Sequence, residues 1–169
     1  APLAELQRTG LPIFLFAGLV DERVDPTLLS GLPGEVVVVG QNRGVHLPGP
    51  VHVFPEVSYE ELPAWLQAAD VLLLPYRRNV QTDSIQPLKT REYLATGRPV
   101  VASALPELRR LALPGLRLAE DSRAFRKVCA ALGEALTRPA GPPPQAALNS
   151  LASWEEQAAS FLSFATAAG

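Results

Sequence analysis

Residues Ala69–Ser103 read ADVLLLPYRRNVQTDSIQPLKTREYLATGRPVVAS, and this stretch decides the fold. Val71-Leu72-Leu73-Leu74 is a continuous apolar run, as a strand buried on both faces requires. Pro75 stops it, and Tyr76 to Gln86 is polar enough to be a loop. Pro87 suits the first turn of a helix, where its missing N–H costs nothing. Leu88 to Thr96 are mostly good helix formers, and Gly97 supplies the stop. Pro99-Val100-Val101-Ala102 is a second buried strand. A helix start leaves N–H groups unpaired and carries partial positive charge, so this corner suits an anion such as phosphate.

Outward from this unit the elements alternate. Ile13 to Ala17 and Glu35 to Val39 are apolar strands, with a short helix at Pro26 to Ser30 between them. Val51-His52-Val53 is a short strand whose histidine is expected to point off the core face. Ser58 and Glu61 have the spacing of a capping box, opening a helix that runs towards Ala69. Leu116-Arg117-Leu118 reads as an edge strand, and Asp121 or Ser122 caps a helix reaching Leu136. The fold class expected is α/β, a single Rossmann-like doubly wound parallel sheet with ligand at the strands' carboxyl ends. Residues 1–138 form that domain, 139–144 a proline-rich linker, and 145–169 a helix of the same domain with Trp154 on its apolar stripe.

Composition narrows the function. A net charge of −2 gives no footprint for nucleic acid. Two histidines and the single Cys129 lie too far apart for a structural zinc site, and no Asp-x-Asp is present, so no metal is expected. His46 and His52 read as surface residues. The apolar run Leu11 to Val20 is interrupted by Pro12 and Gly18 and is too short to span a bilayer. The chain has no methionine, position 1 included, which suggests a fragment or a processed chain.

Lys89 and Glu92 are three residues apart and share a helix face. Together they suit a phosphate and a ribose, although the same spacing also serves a plain intrahelical ion pair. The chain has thirteen arginines and only two lysines, and one of those lysines sits here.

The run P-L-K-x-x-E-Y-L-A-x-G-x-P-V-V-A, Pro87 to Ala102, resembles the donor-binding signature of retaining glycosyltransferases of the two-Rossmann-domain GT-B architecture, family four or "group one". Weaker matches include Phe16-Ala17-Gly18, Asp25, Val36 to Gly40, Pro75-Tyr76, Asn79 and Leu105-Pro106-Glu107. The resemblance implies a nucleoside diphosphate sugar as substrate, with no metal and no cofactor. It implies that Glu92 binds the ribose and that Ile85, Gln86 and Leu88 turn backbone N–H groups to the diphosphate. Thr82 and Asp83 would lie at the transferred sugar, and Phe54 and Val57 at the base, where plain packing is an equal reading. Lys89 and Glu92 are the catalytic candidates.

Two places depart from the family pattern. Ser84 stands where its first glutamate falls, and Leu19 and Val24 stand where relatives carry cations, leaving Arg23 one residue away as the substitute. The resemblance also implies a partner, an acceptor-binding N-terminal Rossmann domain outside this chain, without which the chain is inactive. It implies polysaccharide biosynthesis and a cytoplasmic location, at the inner membrane surface if the intact enzyme associates peripherally. The alternatives are a nucleotide-sugar epimerase of the same architecture and a non-catalytic, degenerate Rossmann-like interaction module. A phosphorylatable receiver domain fails, because Asp70 precedes its strand instead of ending it.

Overall fold

The computed structural model describes residues 2–85 and 88–135. In chain order the elements are α1 (Pro2–Gln7), β1 (Ile13–Ala17), a 3-10 turn (Pro26–Leu29), β2 (Glu35–Val39), β3 (His52–Phe54) and α2 (Leu62–Ala68). There follow β4 (Val71–Leu74), α3 (Val80–Asp83), α4 (Lys89–Ala95), β5 (Val100–Ser103), α5 (Pro106–Leu111), β6 (Leu116–Ala119) and α6 (Ser122–Ala135). All strands are parallel, in the order β3-β2-β1-β4-β5-β6. This is the expected doubly wound sheet. Its order reverses between β1 and β4, where such sheets open a crevice.

The strands β1, β4 and β5 are buried on both faces, which their unbroken apolar sequences require. One face carries Ile13, Leu15, Ala17, Leu72, Leu74 and Val100, covered by Leu66 of α2, Tyr93 and Leu94 of α4 and Leu108 of α5. The other carries Phe14, Phe16, Val38, Leu73 and Val101, covered by Leu28 and Leu29 of the 3-10 turn and Phe125 and Cys129 of α6. Burial pushes the Cys129 thiol up to about 12, so it behaves as a small apolar side chain.

Several local expectations need correction. The Tyr76–Gln86 loop contains α3, capped by Asn79, whose side chain accepts from Thr82 N at 2.9 Å. Polar composition hid it, because Asn and Thr bond their own backbone at helix starts. The strand β3 lies one residue later than the Val51–Val53 expected. Its exposed member is Val53, whereas His52 is half-buried against Glu35 at 2.8 Å. The helices α1 and α5 were not expected at all; α5 has proline in its first turn, a start signal.

Other details hold. Glu61 accepts from Ser58 N at 3.2 Å and returns its own N–H to Ser58 Oγ at 3.3 Å, so the capping-box contacts form, one turn ahead of α2 proper. Gly97 ends α4 with φ 74°. Asp121 caps α6 through Ala124 N at 2.8 Å. The linker at 139–144 and the helix at 145–169 fall outside the described residues. Among the described residues, no helix is long and apolar enough to cross a membrane.

Candidate functional site

A cavity of about 460 Å³ opens at the carboxyl ends of β1 and β2. Its floor is Ala17-Gly18 and Val39-Gly40, one wall is Lys89, Glu92 and Tyr93 of α4, and another is Glu56, Val57, Tyr59 and Leu62. The two glycines permit the floor. A Cβ on Gly40 would stand 2.2 Å from Gly18 O, and one on Gly18 would stand 1.6 Å from Lys89 Nζ. Both residues also hold a positive φ, 150° and 142°, that side chains disfavour.

The wall from α4 is tied to this floor. Lys89 Nζ donates to Ala17 O at 2.9 Å and lies 5.5 Å from the centroid of the Phe16 ring. Tyr93 is buried beneath it. Its hydroxyl accepts from Ala17 N at 2.8 Å and donates to Ala17 O at 3.1 Å. Desolvation lowers the Lys89 pKa from the usual lysine value, while the neighbouring Glu92 opposes the shift. Desolvation raises the Tyr93 phenol well above its usual range, so it serves as a neutral hydrogen-bonding group. An ammonium carries three protons, and Ala17 uses one. An anion entering the cavity would therefore meet a partly desolvated cation with donors to offer.

The structure brings Val57, Lys89 and Glu92 together in the cavity, and the other described candidates do not line it. Arg23 instead clasps Asp21, with Nε 2.9 Å and 3.0 Å from the two carboxylate oxygens. That contact holds the Asp21 carboxyl below its usual range. Arg23, the expected substitute for the cations replaced by Leu19 and Val24, thus spends its Nε and Nη2 on Asp21 and does not line the cavity. Phe54 packs its ring on Trp65 at 5.1 Å, so packing is its role in the fold.

The segment after β4 closes on itself. Thr82 is fully buried, and its hydroxyl donates to Arg77 O and accepts from Asn79 N. Ser84 Oγ donates to Val80 O at 3.2 Å, and Ile85 N donates to Thr82 O at 3.1 Å. The Ile85 N–H is therefore engaged within the chain. Asp83 and Leu88 are exposed, and Gln86 lies outside the described residues.

The sequence reading missed Tyr93, Gln41, Arg43, Glu56 and Tyr59 among the lining residues. Tyr93 is one helical turn beyond Lys89, so a shared face was a readable signal. Gln41, Arg43 and Tyr59 sit in connections whose path only the tertiary structure fixes. Among the described residues, no group of three acidic, histidine or cysteine side chains could hold a metal ion.

Comparisons with known proteins agree with this architecture. The chain is 33% identical over 55 residues to a putative teichuronic acid biosynthesis glycosyltransferase, TuaH, of Bacillus subtilis, a match covering 32% of this chain and 14% of that protein. Its fold is similar to sucrose-phosphate synthase of Thermosynechococcus elongatus, with TM-score 0.64 and 20% identity over 100% of this chain and 50% of that one. It is also similar to the catalytic domain of cholesterol-α-glucosyltransferase from Helicobacter pylori, with TM-score 0.57 and 14% identity over 82% of this chain and 96% of that one. The chain thus spans half the length of the synthase and a small part of the Bacillus relative. Residues 15–135, most of the chain, match the family described as "Glycosyl transferases group 1", and the chain belongs to that family.

Proposed function

We propose that this chain is the donor-binding half of a glycosyltransferase and holds a nucleoside diphosphate sugar in the cavity above β1 and β2. The observation that carries the reading is the convergence of Lys89 and Glu92 on one cavity at the carboxyl edge of a doubly wound sheet. Lys89 meets the diphosphate, and Glu92 accepts hydrogen bonds from the ribose hydroxyls.

The chemistry follows from where charge grows. The bond between the sugar's anomeric carbon and the diphosphate oxygen breaks, and the nucleoside diphosphate departs with the electron pair. A hydroxyl of the acceptor bonds to the anomeric carbon, and its proton passes to the departing diphosphate oxygen. A fixed, partly desolvated ammonium stabilises the departing charge more than a hydrated one could. Glu92 contributes orientation rather than proton transfer. The acceptor, a glycan or a lipid-linked glycan, would be bound by a second domain. The teichuronic acid relative fits a polysaccharide product.

A thermal-shift titration of the protein with uridine, guanosine and adenosine diphosphates tests the reading. A ligand at a hundredfold excess over its Kd should stabilise the protein by about 2.7 kcal/mol. One nucleotide should raise the melting temperature, Glu92→Ala should abolish the rise, and magnesium should leave it unchanged. No rise with any nucleotide at millimolar concentration would favour a non-catalytic module instead.

A further inference from the structure

Lys89 reaches the cavity on a flexible four-carbon stem, and a flexible cation binds an anion well only when it is held in place beforehand. Among the described residues no carboxylate holds it. Its hydrogen bond goes to Ala17 O at 2.9 Å, so the place of the ammonium depends on where that carbonyl points.

The carbonyl belongs to the peptide that enters Gly18, where φ is 150° and no side chain limits rotation. A neighbouring strand would normally fix such a peptide, but the pairing of β4 with β1 stops at Leu15. Tyr93 fixes it instead. Its hydroxyl accepts from Ala17 N at 2.8 Å and donates to Ala17 O at 3.1 Å. The Tyr93 ring lies in the core with Leu15 and Leu72 and is 1% exposed, so the hydroxyl is a stationary point.

Both lone pairs of Ala17 O are then used, one by Tyr93 and one by Lys89. The two residues are four apart on α4, so one helix face delivers both donors to the same oxygen. A hydroxyl among apolar side chains costs free energy unless it is bonded, and packing alone would be met by phenylalanine. The phenol oxygen therefore has a task that the ring does not.

We infer that Tyr93 is a positioning residue for the anion site: through the Ala17 carbonyl it fixes the Lys89 ammonium where the diphosphate arrives. The assignment rests on the reading of Lys89 as the partner of that diphosphate. Tyr93 acts through Lys89 and not on the ligand, since its hydroxyl is spent on Ala17.

Acetylation of the full-length protein by acetic anhydride, read peptide by peptide by mass spectrometry, tests it. Lys127, exposed on α6, is the internal control. In the wild type, inorganic pyrophosphate should protect Lys89 and leave Lys127 unprotected. Tyr93→Phe, at a temperature where circular dichroism shows it folded, should label several-fold faster at Lys89 and at the wild-type rate at Lys127. Protection of Lys89 should then need about tenfold more pyrophosphate, as the loss of one hydrogen bond implies. Gly18→Ala keeps the hydroxyl but drives the ammonium off the same carbonyl, so it should give the same pattern. Equal protection in wild type and Tyr93→Phe would overturn this assignment and leave the donor reading standing. Faster labelling at both lysines would mark a general loosening and overturn it as well. A wild-type Lys89 that pyrophosphate does not protect would overturn both readings together.

Discussion

Two regions of the sheet's carboxyl edge treat positive charge in opposite ways. Beyond β4 and β6, Arg78 lies 3.0 Å from Glu120, and Arg109 of α5 pairs with the same carboxylate. In the loop after β1, Arg23 is clasped by Asp21. Around the cavity, Lys89 is held only by a backbone carbonyl and the Phe16 ring, and Arg43 bonds no described side chain. Cations already neutralised by carboxylates have little to offer an anionic ligand. The comparison teaches that cations without a carboxylate partner, rather than the local density of arginine, mark where an anion could be received.

The largest effect should come from the region that builds the cavity wall. Replacing the buried Tyr93 with alanine should cost about 3–5 kcal/mol, the usual loss for a buried aromatic. Tyr93→Phe keeps the ring and leaves the Ala17 N–H without its partner, which should cost about 1–3 kcal/mol. Urea denaturation measures both. Equal stability of wild type and Tyr93→Phe would mean that the hydroxyl does not organise the end of β1.

Gly18→Ala should act on the same wall with a smaller effect on stability. The strained φ implies a cost of about 1–3 kcal/mol. The new methyl group would also push the Lys89 ammonium off Ala17, because the two would stand 1.6 Å apart. Pyrophosphate affinity should fall along with stability. Unchanged affinity would show that the resting place of Lys89 does not matter to the site.

The smallest effect should come from the neutralised region. Glu120→Gln removes the shared partner of Arg78 and Arg109, all three with side chains roughly half exposed. Such pairs contribute under about 1 kcal/mol, so the urea midpoint should barely move and nucleotide binding should persist. A marked loss of nucleotide affinity would mean that the arginine cluster belongs to the site after all.

The fold was legible where pattern and burial coincide. The apolar runs at 13–17, 36–39, 71–74 and 100–102 are costly to solvate, so they read as interior strands. Short elements were harder. Val80–Asp83 forms one turn whose polar residues bond their own backbone, and β3 is an edge strand whose pattern does not fix its register. Within the site, the Lys89–Glu92 spacing was readable because both sit on one short helix. Arg23 read as a free cation because the sequence does not say which neighbour a side chain pairs with, and in the fold it pairs with Asp21 two residues away. Arg43 and Tyr59 gave no local signal, since their convergence depends on two separate connections folding over the same strand ends.

The hydrogen-bond ladder between β1 and β4 pairs only Phe14 with Val71 and Leu15 with Leu72. At both extremities of β1 a side chain finishes what a neighbouring strand would otherwise supply. The Asp70 carboxylate receives Ile13 N at 2.9 Å, and the Tyr93 phenol completes Ala17. The β1–β4 ladder thus ends at both extremities of β1 without leaving Ile13 or Ala17 N–H unpaired. Tyr93, donor and acceptor at once, stands in for a missing length of strand at the end of β1.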